Sequence, residues 1–466
     1  MLNDFIILMR QELAVTVIVF LLLFLKLGKT VRNEVLFSLV SVLVLLTIGL
    51  SFVGSTQGQL FAGMFVSTPL MTIQKTLLLT AVYLILLLNY EWLRKQEHMA
   101  EFLVLLFSSL LGMMLMISSG NLLMFYLALE LASIPVAAMA NFDLQKKASS
   151  EAAMKMILSS AFASGILLFG ISLLYGSSGT LSFGDMPGSL SGNPVEVIGF
   201  ILFFSGFAFK LSVVPFHLWT ADVYQGAPVA VSSFLSVVSK GSVAFIFMSI
   251  LMKIFQPLGE VSYYMLMILS LITVVTGNLF ALRQQNLKRF LAFSSIAQVG
   301  FILVGMLNGK SLGVASVVFF VLVYLFSNLA AFGVVSMVTE ATGKESIADY
   351  KGLYKNNKLL GWVMAIALFS LAGIPPTAGF FGKLFLILAG ATSVNIWFIV
   401  LISLNLVVSL YYYLRVVRSI FAEPDGEPLP VVGYSSWSKL GMYICLAGIV
   451  LTGLIGWLYE HILSLS

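Results

Sequence analysis

The chain lacks most of what a soluble or metal-binding protein needs. Its single cysteine, Cys445, cannot form an internal disulfide, hold an iron–sulfur cluster or build a zinc site. Charged residues make up only 10% of the 466 residues, whereas a soluble domain has about 25%. The net charge of +5 comes from lysines and arginines in loops, so it is not evidence for nucleic-acid binding.

The chain is rich in apolar residues. They make up 60% of the chain, and the mean hydropathy is +1.04. Runs of about 20 apolar residues, enough to cross a bilayer, recur along the whole length. They predict a single all-α polytopic membrane domain with about 14 transmembrane helices. The predicted spans are 5–26, 35–54, 69–90, 101–118, 121–141, 153–175, 196–218, 227–252, 261–282, 290–307, 312–339, 359–390, 393–421 and 437–460.

Two spans contain helix-breaking residues. The span 359–390 is too long for one straight helix and contains Gly373, Pro375, Pro376 and Gly379, which predicts two half-helices around a break. Pro215 interrupts an earlier span about 160 residues before Pro375. Paired interrupted helices in the two parts of a transporter indicate an internal repeat and its ion path.

Lysine and arginine indicate the orientation. The loops after odd-numbered spans contain 18 of them, and the loops after even-numbered spans contain only Lys253 and Lys310. The positive-inside rule therefore predicts that both termini face the periplasmic side. On that side, 55–68 is expected to form a short hairpin or interfacial turn and 176–195 a loop. The Pro-containing stretch 422–436 is expected to be an irregular or amphipathic connection to the last span.

Four charged residues lie deep within apolar spans: Glu130, Lys210, Lys240 and Lys383. A charge at the bilayer centre costs about 2.5–3.5 kcal/mol on insertion scales, so a chain that keeps several is expected to use them. They predict a path for protons or ions. A structural alternative for Glu130 is a protonated acid bonded to a neighbouring helix.

Three other charged residues and one histidine have weaker signals. Lys75 lies near a span end, from which it could reach the interface, and Arg10 and Glu12 are expected at the interface. His217 follows Lys210 by seven residues and would share its helix face if the helix continued. It is a candidate proton relay, with a core or interfacial histidine as an equal alternative.

Several motifs together resemble the antiporter-like membrane subunits of respiratory complex I. The first motif runs from Phe125 to Leu131 around Glu130. The second extends from Phe209-Lys210-Leu211 through Pro215-Phe216-His217-Leu218-Trp219 to Ala227-Pro228-Val229. The third is 287–296, and the segments 370–375 and 411–415 fit as well. The resemblance covers essentially the whole chain and is closest to the N-type subunit of the bacterial enzyme.

The resemblance implies two inverted five-helix repeats, each with a discontinuous helix, made from spans 4–8 and 9–13. The domain would then divide into 1–100 (three N-terminal helices), 101–252 (first repeat), 260–421 (second repeat) and 422–466 (C-terminal helix). Glu130 and Lys210 would match the buried glutamate–lysine pair, Lys240 the mid-channel lysine and Lys383 the lysine of the second half-channel. Gln298 departs from the pattern, since many relatives have histidine there.

The resemblance also implies the partners. FMN, the iron–sulfur clusters and the quinone site are expected in other subunits, with no cofactor or metal in this chain. The expected partners are other membrane subunits and phospholipids, in the bacterial inner membrane, and not nucleic acid. A subunit of a multi-subunit cation/proton antiporter remains an alternative, as does a structural spacer whose lysines tolerate substitution.

Overall fold

The computed structural model describes residues 2–28, 31–54, 57–307, 309–392, 394, 396–424 and 429–466. The N-terminal part consists of helices and one small sheet. In chain order these elements are α1 (Leu2–Leu8), α2 (Arg10–Leu27), α3 (Asn33–Leu50), β1 (Gly58–Leu60), β2 (Phe65–Ser67), α4 (Pro69–Leu88) and α5 (Tyr90–Leu93).

The next part is entirely helical and contains the first broken helix. Its elements are α6 (Met99–Ile117), α7 (Leu122–Ala140), α8 (Lys147–Ser178), α9 (Met186–Ser189), α10 (Pro194–Leu211), α11 (Leu218–Gly226), α12 (Val229–Phe234), a π-helical turn (Leu235–Ser239) and α13 (Lys240–Lys253).

The last part contains the second broken helix. Its elements are a 3₁₀ turn (Gln256–Leu258), α14 (Gly259–Arg283), α15 (Leu287–Met306), α16 (Ser311–Thr342), a second 3₁₀ turn (Ile347–Tyr350), α17 (Leu353–Asn356), α18 (Lys358–Ala372), α19 (Ala378–Ala391), α20 (Ile396–Phe421), α21 (Ser436–Leu454) and α22 (Trp457–Ser464).

The all-α membrane fold is confirmed, but the count of fourteen spans is not. Within the described residues, 12 helices are long and apolar enough to cross a membrane. The predicted span 359–390 is indeed two helices, α18 and α19, each shorter than a full crossing. The first predicted span corresponds to α2, an 18-residue helix that carries Arg10, Glu12 and Lys26. Each of the 12 spans contains an 18-residue stretch with at most two charged residues, whereas the 18 residues of α2 contain three.

Burial separates central helices from peripheral ones. In the most apolar 18-residue stretch of α15, and likewise of α16, 94% of the residues are buried. The corresponding share is only 28% in α20 and 33% in α3. The bundle is therefore built around α15 and α16. The outer faces of α3 and α20 remain apolar and exposed, as faces in contact with lipid or other subunits are.

The predicted hairpin at 55–68 is confirmed over the described residues from 57 onward. β1 pairs antiparallel with β2, with Gly58 opposite Ser67. The Val66 amide donates to the Ser118 carbonyl at 2.8 Å, so the hairpin is bonded to the connection between α6 and α7. The expected loop 176–195 is shorter than predicted, since α8 continues to Ser178 and the loop contains α9. In the irregular stretch 422–436, residues 425–428 lie outside the described ones.

The lysine-rich loops meet on one face of the bundle. Lys95 pairs with Glu340 at 2.7 Å, and Lys288 pairs with Glu345 at 2.9 Å. Asn33 donates from Nδ2 to the Arg94 carbonyl at 3.0 Å. These contacts join connections that are far apart in sequence, which agrees with the alternation on which the orientation prediction rests.

Candidate functional site

The first broken helix places Lys210 at its break. α10 begins with an Asn193 cap, Pro194 in the first turn and Glu196 in a capping box, a strong start signal. It ends at Leu211 because Ser212 adopts a left-handed conformation with φ 66°. Pro215, which has no amide hydrogen to donate, follows before α11 begins. Lys210 is thus the penultimate residue of the first half-helix.

Two serines hold the Lys210 ammonium. Lys210 Nζ donates to Ser133 Oγ of α7 at 2.6 Å and to Ser160 Oγ of α8 at 2.7 Å. Hydroxyl groups can accept from an ammonium and donate to a neutral amine, since the hydroxyl hydrogen rotates to suit. Ser133 Oγ already donates to the Leu129 carbonyl at 2.6 Å, so Ser160 is the hydroxyl that can donate to the single lone pair of a neutral Lys210 amine.

Glu130 lies one helical turn before Ser133 in α7, on the same side of the helix. It is partly buried, and its Oε1 atom is buried without a hydrogen-bond partner. Among the described residues no ion pair within 4.0 Å includes Glu130 or Lys210. The structure thus brings the two residues to one locality through Ser133, but not into direct contact.

A small polar cavity adjoins Lys210. Its volume is about 20 Å³, enough for one water molecule. Its polar lining comes from Ser133, Lys210, Ser239 and Ser242, of which the last two flank Lys240 in sequence. The cavity therefore lies between the first lysine and the helix turn that carries the second.

Lys240 follows the π-helical turn Leu235–Ser239 directly. Such wide turns within α-helices are frequent at functional sites. The lysine is 2% exposed, and its Nζ donates to Ser295 Oγ of α15 at 2.7 Å. It also lies 5.5 Å from the centre of the Tyr224 ring. Ion pairs within 4.0 Å among the described residues do not include Lys240.

Lys383 lies in α19 and is hydrogen-bonded to the C-terminal end of α18, the other half of the same broken helix. It is 2% exposed and donates from Nζ to the carbonyls of Leu371 at 2.7 Å and Ala372 at 3.3 Å. These carbonyls belong to the last turn of α18, where they have no partner within the helix and carry the negative end of its dipole. Gly373, with φ 85°, ends α18 in the left-handed conformation that glycine favours.

A hydrogen-bonded line on α15 connects the surroundings of Lys240 with Lys383. Ser294, next to the Lys240 partner Ser295, is hydrogen-bonded to the Tyr413 hydroxyl. Gln298 donates from Nε2 to the same hydroxyl at 3.0 Å and to the Leu371 carbonyl at 3.1 Å. That carbonyl also accepts from Lys383. Gln298 therefore shares an acceptor with Lys383.

His217 does not share the helix face of Lys210, because α10 ends before it. It is the residue before α11, is 7% exposed, and its Nδ1 is buried without a hydrogen-bond partner among the described residues. It thus remains a buried histidine close to the helix break.

The predictions for Lys75 and Glu12 are wrong. Instead of reaching the interface, Lys75 is 1% exposed and pairs with Glu12 Oε1 at 2.8 Å. Its Nζ also donates to Ser118 Oγ at 3.1 Å and lies 5.5 Å from the Phe65 ring centre. The hairpin and the end of α6 close over Lys75, which is why closeness to a span end did not mean exposure.

Sequence reasoning missed the groups that hold the lysines. Ser133, Ser160, Ser295, Ser294 and Tyr413 make the contacts described above. A partial signal was available, since Ser133 and Ser295 lie one turn from Glu130 and Gln298 respectively. Separately, no cluster of three or more His, Cys, Asp or Glu side chains that could hold a metal occurs among the described residues.

These features define the class as a polytopic α-helical membrane protein with two interrupted helices and buried lysines. A family model described as NADH:quinone oxidoreductase/Mrp antiporter, TM matches residues 119–409. The NADH-quinone oxidoreductase subunit N of Phocaeicola vulgatus is 48% identical over 406 residues, which are 86% of each chain. The chain belongs to the NADH:quinone oxidoreductase/Mrp antiporter family.

Solved structures agree in fold. A chain of respiratory complex I from Thermus thermophilus has a TM-score of 0.83 and 27% identity, with 97% of this chain and 98% of that chain covered. A chain of the Mrp complex from Dietzia sp. has a TM-score of 0.80 and 21% identity, covering 97% and 95%. The latter likeness concerns the fold alone.

Proposed function

We propose that this chain is the N-type membrane subunit of an NADH–quinone oxidoreductase and moves protons along Glu130, Lys210, Lys240 and Lys383. The observation that carries the proposal is the series of three lysines without a carboxylate partner within 4.0 Å among the described residues. A buried ammonium without a counter-ion is costly, so it exchanges its proton more readily than a paired one. Hydroxyl, amide and carbonyl groups lie between Lys240 and Lys383, in one set bonded to each lysine: Ser295 to Lys240, and Ser294, Tyr413, Gln298 and the Leu371 carbonyl to Lys383.

The proton transfers can be written with these residues. Lys210 takes up a proton as neutral amine while the Ser160 hydroxyl turns from donor to acceptor. Glu130 stabilises the ammonium when it moves nearer and destabilises it when it moves away. The proton passes to Lys240 by way of the small cavity, and then through water beside the α15 line to Lys383, which exchanges with the opposite face. Quinone reduction and its FMN and iron–sulfur clusters belong to other subunits.

The same residues support the repeat organisation, with 101–252 and 260–421 as the two units. Each unit contains a 32-residue helix, α8 or α16, followed by a broken helix. The second helix of each unit, α7 or α15, carries the polar residues that face the lysines. The segments 1–100 and 422–466 then flank the two channels.

Replacement of Lys210 by methionine tests the function. Lys210→Met keeps the length of the side chain and removes its proton site, so proton-coupled NADH oxidation should fall at least tenfold while the complex assembles. The matched control is Lys253→Met, an exposed lysine at the end of α13. Proton uptake by vesicles containing the purified complex is the measurement. Normal proton uptake per NADH in the Lys210 variant would refute the proposal.

The antiporter alternative predicts different partners. A subunit of a cation/proton antiporter would purify without flavin or iron–sulfur subunits and would exchange cations for protons without NADH. Purification of the tagged chain in mild detergent, followed by absorbance measurement of flavin and iron–sulfur centres, separates the two. We favour the oxidoreductase because the 48% identical relative carries that name.

The proposed location is the bacterial inner membrane with both termini on the periplasmic side. The support is the 18 to 2 distribution of lysine and arginine between the two sets of loops. Cysteines introduced singly at Lys146 and at Lys310 should differ in their reaction with a membrane-impermeant maleimide added to intact cells. Labelling of the Lys146 position alone would invert the orientation.

A further inference from the structure

A charged cavity opens on the lysine-rich face, away from the line of buried lysines. It has a volume of about 260 Å³ and lies between α8, α11 and α15. Its polar lining comes from Glu151, Lys155, Asp222, Gln225 and Arg289. A cavity of this size and polarity holds several water molecules. None of these residues belongs to the proposed Glu130–Lys383 path.

Asp222 is the centre of this cavity. Lys155 Nζ donates to its Oδ2 at 2.7 Å, and Arg289 donates from a terminal guanidinium nitrogen to its Oδ1 at 2.6 Å. Lys155 also pairs with Glu151 at 2.7 Å, and Arg289 donates to Gln225 Oε1 at 3.1 Å. The Asp222 side chain is 33% exposed, so water reaches a carboxylate that two cations hold in place.

Two helices run from this cavity to Lys210. In α8, Lys155 precedes the Lys210 partner Ser160 by five residues, which is about 7.5 Å along the axis. In α11, Asp222 follows Trp219 by one turn. The Trp219 side chain lines the Lys210 cavity, and its Nε1 donates to the carbonyl of Phe209 at 3.0 Å. α8 and α11 therefore each carry both a residue of the charged cavity and a residue beside Lys210.

The charged residue next to Arg289 in sequence, Lys288, pairs with a carboxylate outside this cavity. The Lys288 Nζ atom lies 2.9 Å from Glu345 Oε1. The charged groups that face Asp222 are thus Lys155, with Glu151 behind it, from α8 and Arg289 from α15. Asp222 is the carboxylate of this cavity that lies on the broken helix.

We propose that Asp222 is the group through which protons pass between the water on the lysine-rich face and Lys210. This inference rests on the proposed proton-translocating function and adds the entrance of its first half-channel. A hydronium ion transfers a proton to an Asp222 oxygen and leaves water. The new O–H bond then breaks as the proton moves through water to the neutral amine of Lys210, which becomes an ammonium, and Asp222 is again a carboxylate.

The test measures the pH dependence of proton pumping by the whole complex in vesicles with the lysine-rich face outside. Asp222→Asn keeps the size of the side chain and removes its proton site. Lys210 must then take protons from free hydronium, so the pumping rate should fall about tenfold for each pH unit above neutrality. Asp222→Glu should restore the shallower wild-type profile.

Two further variants complete the design. Asp143→Asn removes another carboxylate on this face, one that pairs with Lys146 at 2.8 Å outside the cavity, and should keep the wild-type profile. Lys155→Met removes one of two cations beside Asp222, so the carboxyl holds its proton more firmly and the profile should move to higher pH. It serves as the test if Asp222→Asn does not assemble.

The results separate this inference from the proposed function. An Asp222→Asn complex that pumps more slowly but with the wild-type pH profile would show a merely structural role and overturn the inference. An unchanged profile in Lys155→Met would do the same. Full pumping by Lys210→Met would refute the function itself, whereas loss in Lys210→Met with a wild-type profile in Asp222→Asn would refute the entrance alone.

Discussion

The buried pair of Glu12 and Lys75 offers a prediction whose size follows from the structure. Lys75→Met keeps the length and packing of the side chain but leaves Glu12 inside the protein with no donor. Glu12 Oε1 loses its 2.8 Å partner, and Oε2 already has no hydrogen-bond partner among the described residues. Removing one partner of a buried ion pair typically costs about 3–5 kcal/mol of folding free energy.

The reverse change should cost less. Glu12→Gln leaves a side-chain carbonyl that still accepts from Lys75, and Ser118 Oγ at 3.1 Å remains as a second acceptor. A loss of about 1–3 kcal/mol is expected from one weakened hydrogen bond to a charged group. The double variant contains neither charge, so its stability should return to within about 1–2 kcal/mol of the wild type, because well-packed neutral replacements of buried pairs are often neutral.

The assay is the free energy of unfolding of the purified chain in mixed detergent micelles, determined for the four members of the cycle. The expected coupling energy between Glu12 and Lys75 is at least about 2 kcal/mol. Three outcomes do not fit a buried pair. They are a Lys75→Met loss below about 1 kcal/mol, costs that add within about 0.5 kcal/mol, and a double variant less stable than either single one.

Two remaining predictions concern the broken helix α18–α19 and Lys240. A Cβ atom on Gly379 would lie 1.7 Å from the carbonyl oxygen of Ser370, so Gly379→Ala should separate α18 from α19. The amount of assembled complex in native gels should then fall. The control is Gly433→Ala, which should not reduce assembly because nothing lies within 4 Å of its Cβ. Normal assembly of the Gly379 variant would contradict the close packing. Ser295→Ala removes the Lys240 partner at 2.7 Å and should lower proton pumping about tenfold or more, with Ser295→Thr recovering most of it. Equal activity of both variants would exclude a role for the hydroxyl.

The sequence predicted those features of the fold that depend on composition and local chemistry. Apolar length located the spans, and proline with glycine located the break at Gly373–Pro376. The depth of Lys210, Lys240 and Lys383 followed from their position within apolar runs. Lys75 did not follow, because its burial depends on the hairpin and on Ser118, which are distant in sequence. The sequence predicts how deep a residue lies within a span. It does not predict whether a segment distant in sequence packs over that residue.

The contacts of the site depended on packing between helices. Ser160 lies 50 residues from Lys210, and Tyr413 lies 115 residues from Gln298. No periodicity within one helix identifies such partners. Glu130 and Lys210 were expected to form a pair, but Lys210 is hydrogen-bonded to Ser133 instead. A sequence motif alone does not reveal this contact. The interruption before Lys240 was also unforeseen, since it contains neither proline nor glycine.

The π-helical turn Leu235–Ser239 sets the direction in which Lys240 faces. A π turn contains one residue more than an α-helical turn, because its hydrogen bonds join residues i and i+5. One extra residue corresponds to about 100° of rotation, given 3.6 residues per α-helical turn. Without this turn, Lys240 would lie about 100° around the helix from the face on which it reaches Ser295 of α15.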